Sequence, residues 1–151
     1  YNIGGPTSVR AFQPRLVGPG SVEPQEETFF FTGTGDILLE SSIEWRPKLT
    51  KMIELGLFVD AGNVWLFRGG AANDDLATFH IDSFHRQLAI GTGLGIRLDF
   101  DILLLRFDFA FPLTKPWLPE GERWVGDQIA LGLPSWRKEN LAFNFAFGYS
   151  F

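Results

Sequence analysis

The stretch Leu141-Ala142-Phe143-Asn144-Phe145-Ala146-Phe147-Gly148-Tyr149-Ser150-Phe151 alternates without a break. Its odd positions are large and apolar or aromatic. Its even positions, Ala142, Asn144, Ala146, Gly148 and Ser150, are small or polar. A period of two puts the two sets on opposite faces of a β-strand. Six bulky side chains on one face are more than a half-buried soluble sheet ordinarily carries.

Four more runs repeat the pattern upstream. Ile37 to Arg46 sets Ile37, Leu39, Ile43 and Trp45 against Glu40, Ser42, Glu44 and Arg46. Met52 to Trp65 sets Ile53, Leu55, Leu57 and Val59 against Glu54, Gly56, Asp60 and Gly62. Gln87 to Phe100 sets Leu88, Ile90, Leu94, Ile96, Leu98 and Phe100 against Ala89, Gly91, Gly93, Gly95, Arg97 and Asp99. Asp101 to Phe111 sets Leu103, Leu105, Phe107, Phe109 and Phe111 against Arg106 and Asp108, with Ile102, Leu104 and Ala110. No stretch shows a helical period. A β-sandwich buries its apolar face and shows the polar one to water; a transmembrane barrel faces lipid outside and carries its polar residues within. Opposite charges on the polar faces and runs of about ten residues, the length a tilted strand needs to cross a bilayer, favour the barrel.

Composition narrows the function classes. The 151 residues include no Cys, 16 Phe and 17 Gly, with a net charge of −5. Disulfide frameworks and Cys-ligated metal centres are excluded, and there is no basic footprint for nucleic acid. No apolar run is long enough for a transmembrane helix. No order of Ser, His and Asp, no phosphate loop and no zinc-protease motif points to catalysis, so the chain is read as no enzyme, with no cofactor. Asp74, Asp75, His80 and Asp82 read as a solvated loop rather than a metal site. Gly91, Gly93 and Gly95 lie mid-strand on the small face, where they make room for a packed segment or thin the wall.

Short turns around Pro47–Lys51 and Asp99–Asp101 alternate with long connections, about Leu66–Arg86 and Thr114–Glu139. Bacterial outer-membrane barrels have short periplasmic turns and long external loops, so the C-terminus is expected in the periplasm. Trp45 and Tyr149 then fall on the lipid face near the inner interface and Trp65 near the outer one. The fold class is all-β, an antiparallel transmembrane β-barrel segment. Residues 1–36 are an extracellular loop and 37–151 the last five strands. Five strands cannot close such a barrel, so the chain is expected to be one wall of a larger one.

The loop Gly4-Gly5-Pro6-Thr7-Ser8-Val9-Arg10-Ala11-Phe12, the strand with Ser42, Glu44 and Arg46, the run Phe58-Val59-Asp60-Ala61-Gly62 and the ending Gly148-Tyr149-Ser150-Phe151 occur in one order. Together they resemble the C-terminal end of the BamA/TamA and two-partner-secretion transporter superfamily. The long loop around Pro116–Trp124 resembles versions from the Bacteroidetes. The resemblance implies a sixteen-stranded outer-membrane barrel with periplasmic POTRA domains ahead of it. Val9, Arg10, Ala11 and Phe12 match its loop motif, and Phe58, Asp60 and Gly62 its strand motif. Ala11 stands where the family has Gly; if that Gly serves a positive φ, the loop tip here must differ.

The resemblance further implies that the loop folds back into the lumen and Arg10 pairs with acids of the wall. Parity independently points Asp60 inward, and Glu40 and Glu44 are candidates for a second acid. Phe147, Gly148, Tyr149 and Phe151 resemble the β-signal and lateral gate of the family's insertases. The implied function is an assembly factor in the outer membrane of a Gram-negative bacterium. Its implied partners are the lipid bilayer, nascent β-barrel proteins and periplasmic or lipoprotein accessory subunits. The alternatives are a TamA-like or two-partner-secretion pore, a passive porin-like barrel or surface antigen, and a soluble β-rich module.

Overall fold

A computed structural model describes residues 1–5, 7–24, 34–67 and 74–149. The five alternating runs form one antiparallel sheet, β1 (Ile37–Trp45), β2 (Ile53–Trp65), β3 (Ala89–Asp99), β4 (Leu103–Thr114) and β5 (Ala142–Tyr149), in chain order. The register places Ser42 opposite Asp60, Asp60 opposite Gly91, Gly93 opposite Ala110 and Asp108 opposite Asn144. Small and polar residues of neighbouring strands therefore share one face. Ile43, Leu57, Val59, Leu94, Phe109, Phe143, Phe145 and Phe147 stand exposed on the other, while Phe58, Asp60, Asp108 and Ala110 are buried. A continuous bare apolar face of this size fits lipid rather than water. Among the described residues no helix is long and apolar enough to cross a membrane; the strands are the crossing elements, and these five form an open wall.

Both short connections are tight because the ladders run into them. Leu49 N donates to the Ile53 carbonyl (2.9 Å), and Phe100 N to that of Leu103 (2.9 Å). Asp101 takes the left-handed conformation at φ 65°, which Asp tolerates in turns better than most residues. The long connections carry short helices, α1 (Asp74–Ala77) and α2 (Pro134–Asn140). With seven residues, α2 is too short to announce itself by periodicity; Pro134 at its start is its one sequence mark.

The core lies between the lumen face of the sheet and the segment ahead of β1. Ile3, Val9, Ala11, Phe12 and Val17 pack there against Phe58, Val64, Ala89 and Ala110. Glycine on the wall permits the approach: a Cβ at Gly62 would run into Ile3 and Val9, and one at Gly91 into Ala11. The room expected at Gly91 is thus taken up by the folded-in loop.

Above the membrane-facing band the loops knit together. Arg123 donates from Nε to the Leu118 carbonyl (2.9 Å), from Nη1 to that of Arg86 (3.0 Å) and from Nη2 to Ser21 Oγ (3.2 Å). Trp65 corrects the expectation of a lipid-facing interfacial residue. It is fully buried, packs edge-on to Phe79 and Phe84, and donates its indole N–H to Gln87 Oε1 (2.6 Å). The connection after β2 folds over the end of that strand and covers the ring. Neighbouring Asn63, also fully buried, donates to the carbonyls of Gly20 and Gln87. Trp45, at the other end of the wall, is exposed.

Candidate functional site: the loop tip on the lumen wall

The tip is a compact turn held by its own backbone. Gly5 N donates to the Phe12 carbonyl (2.8 Å), Ser8 N to that of Gly5 (3.2 Å) and Phe12 N to that of Val9 (3.1 Å). Gly4 and Gly5 take positive φ, at 105° and 96°. Ala11 is not among the positive-φ residues. The departure from glycine therefore costs no backbone strain, and its methyl fills the space over Gly91.

This turn delivers Arg10 to the wall, where it is 4% exposed. Nε donates to Asp60 Oδ2 at 2.7 Å and Nη2 to Oδ1 at 2.8 Å, a two-pronged fork on one carboxylate. The Arg10 backbone N–H adds a third bond to Oδ2 (3.1 Å). Nη1 reaches Glu44 Oε2 (3.1 Å) and Nη2 also meets Ser42 Oγ (3.3 Å), which itself donates to Asp60 Oδ1 (2.6 Å). The guanidinium carbon lies 3.4 Å from the centroid of the Phe58 ring. A planar fork matched to a carboxylate and lying on an aromatic face is a role lysine cannot fill. Burial works against the Arg10 charge, but hydrogen bonds and charge from Asp60, and then Glu44, outweigh it and raise its pKa.

Glu44 is a shared anion. Besides Arg10 it faces Arg46 (3.0 Å) and Arg106 (3.7 Å), and Arg106 in turn pairs with Asp108 (2.8 Å). Lower on the wall, Glu54 lies between Arg97 (3.5 Å) and Lys48 (3.4 Å). The inward face thus carries two clusters, centred on Glu44 and on Glu54, each of which meets more than one cation.

Of the residues singled out from sequence, Val9, Arg10, Ala11, Phe12, Phe58, Asp60, Gly62 and Glu44 come together here. Glu40 does not. It opposes Gly62, where Ile3 and Val9 pack, and borders the open groove beside Thr7 and Ser8 without touching Arg10. Phe147 and Gly148 lie far along β5, Phe147 exposed and Gly148 opposite Leu104. The backbone of Tyr149 pairs with Leu103; Phe151 lies outside the described residues. Two partners were missed in the sequence. Ser42 shares the inward parity of Glu44, and Asn144 donates from Nδ2 to the Arg10 carbonyl (3.1 Å). Asn144 is the one amide on the inward face of β5, among Ala142, Ala146 and Gly148, and that contrast was its available mark. Phe12 completes the seat edge-on to Trp117, at 6.0 Å between centroids.

The family model described as the Omp85 superfamily domain matches residues 1–151. No curated protein and no solved structure matches the chain.

Proposed function

The chain belongs to the Omp85 superfamily, an outer-membrane family of Gram-negative bacteria that inserts or secretes proteins, and we propose that within it this barrel assembles other β-barrel proteins. The insertion route in this reading is the edge at β5. The observation that carries it is the juxtaposition of a loop locked on the lumen wall by Arg10 with an end strand that exposes Phe143, Phe145 and Phe147 on its outward face. A strand edge offers unpaired backbone N–H and C=O groups, which a client strand satisfies where lipid cannot. The C-terminus then faces the periplasm, with the long connections outside. Clients are nascent outer-membrane barrels, and periplasmic or lipoprotein subunits assist. The reading assigns no reaction chemistry to the chain.

The test is depletion in the host followed by quantification of the outer-membrane proteome. A broad fall in unrelated barrels is expected. Loss of only one or a few secreted or surface proteins, with other barrels intact, would overturn the assembly reading in favour of a dedicated translocation pore. An unchanged outer membrane would leave a passive barrel.

A further inference from the structure

Arg10 is bonded to three strands at once. Its side chain reaches Glu44 and Ser42 on β1 and Asp60 on β2, while its carbonyl accepts from Asn144 on β5. Four interstrand intervals separate β1 from β5, about 19 Å along the sheet. One residue bridges them because its side chain runs one way across the wall and its backbone carbonyl faces the other. The strands between offer little obstruction, since Gly91, Gly93, Ala89 and Ala110 form their inward surface under the tip.

β5 is the end strand, and β4 is its one neighbour here. Among the described residues Asn144 makes the one hydrogen bond from a β5 side chain to the loop. A backbone carbonyl only accepts, so the amide must present its nitrogen. Toward the C-terminus the next inward residues, Ala146 and Gly148, have no side-chain polar atom to repeat the tie.

We propose that Asn144 is a positioning residue, a latch that fixes β5 to the seated loop tip. Separation of this edge from β4 therefore starts at Ala146–Tyr149 and reaches Ala142–Phe145 only when the loop lets go. The coupling is reciprocal: a strand that peels β5 back loosens the loop, and a loosened loop frees β5. This rests on the reading of β5 as the working edge.

The test is hydrogen exchange of the full-length protein in lipid nanodiscs, wild type against Asn144→Ala. In the wild type, amides of Ala142–Phe145 should exchange at least tenfold more slowly than those of Ala146–Tyr149. Asn144→Ala should accelerate the upper half about fivefold, the weight of one hydrogen bond, with β2 and β3 unchanged. The second readout is thiol labelling of Val9→Cys under the loop, which should quicken by a similar factor; a purely local role in β5 would not move it. Uniform exchange along wild-type β5, or unchanged labelling at Val9→Cys in Asn144→Ala, overturns the latch. If Asn144→Ala yields no heat-modifiable barrel, the wild-type gradient alone decides. The same exchange and labelling changes, with the wild type inserting no reporter barrel into liposomes, would uphold the latch and sink the insertion reading.

Discussion

Replacing Arg10 by Ala tests the lock on the lumen wall most directly. In the seated state Asp60 is 1% exposed. Arg10→Ala removes the fork and the charge, leaving it Ser42 Oγ and the backbone N–H of residue 10 as donors. Breaking one side of a buried ion pair costs about 3–5 kcal/mol. The two surviving donors place this case near the lower end, about 3 kcal/mol, which at 1.4 kcal/mol per decade is about a hundredfold in the seated-to-released equilibrium. Val9 is completely buried beneath the same turn and these residues contain no cysteine, so Val9→Cys supplies a thiol that reacts when the loop lifts. Where opening and closing outpace labelling, the maleimide rate follows the released fraction. Arg10→Ala should raise it about a hundredfold. Adding Asp60→Asn should recover at least tenfold, because a neutral amide no longer suffers burial without a counter-charge. A rise of less than about threefold in Arg10→Ala, or no recovery in the double variant, would refute the argument that this ion pair holds the loop.

Other outcomes follow from single contacts. Gly91→Ala drives a methyl into Ala11 and should release the loop by about 1–3 kcal/mol. Ala11→Gly in the same chain should restore slow Val9→Cys labelling, and failure to restore it would remove the methyl-over-glycine account. Phe145→Lys should destabilise the barrel by up to about 2–4 kcal/mol, as a lipid-facing cation does at mid-bilayer, and so lower the yield of its heat-modifiable form. Ala146→Lys, one residue on and facing inward, should be nearly neutral, and equal losses would mean the faces are misassigned. Arg123→Ala severs the ties to Ser21, Arg86 and Leu118. Faster hydrogen exchange is expected in the loops around Arg86 and Leu118 with the strands unaffected; unchanged loops would show the clasp to be dispensable.

How much of this was legible beforehand depends on which residues repeat. Strand limits and faces came from parity, because each side chain of a wall between lipid and lumen meets one environment or the other. The structure adjusts the limits by only a few residues, with β1 ending at Trp45 and β4 running on to Thr114. Asp60 and Glu44 were read inward by parity, while their partner, Arg10, came from the motif resemblance. Parity placed Glu40 on the same face and could not separate it from Glu44. The register does so: Glu44 lies opposite Phe58, under the path of the Arg10 side chain, whereas Glu40 lies opposite Gly62, where Ile3 and Val9 pack.

By itself, then, the sequence determined a two-faced β wall and the sign and side of its charges. These are properties of neighbours along the chain, and a period of two records them. Tertiary structure alone decided that Trp65 is roofed by its own loop, that Arg123 clasps three segments, and that Asn144 ties the end strand to the tip. Those contacts include pairs 22, 102 and 134 positions apart, through loops whose paths follow no period. Their partners are set by how the loops pack above and inside the wall, which no local pattern encodes.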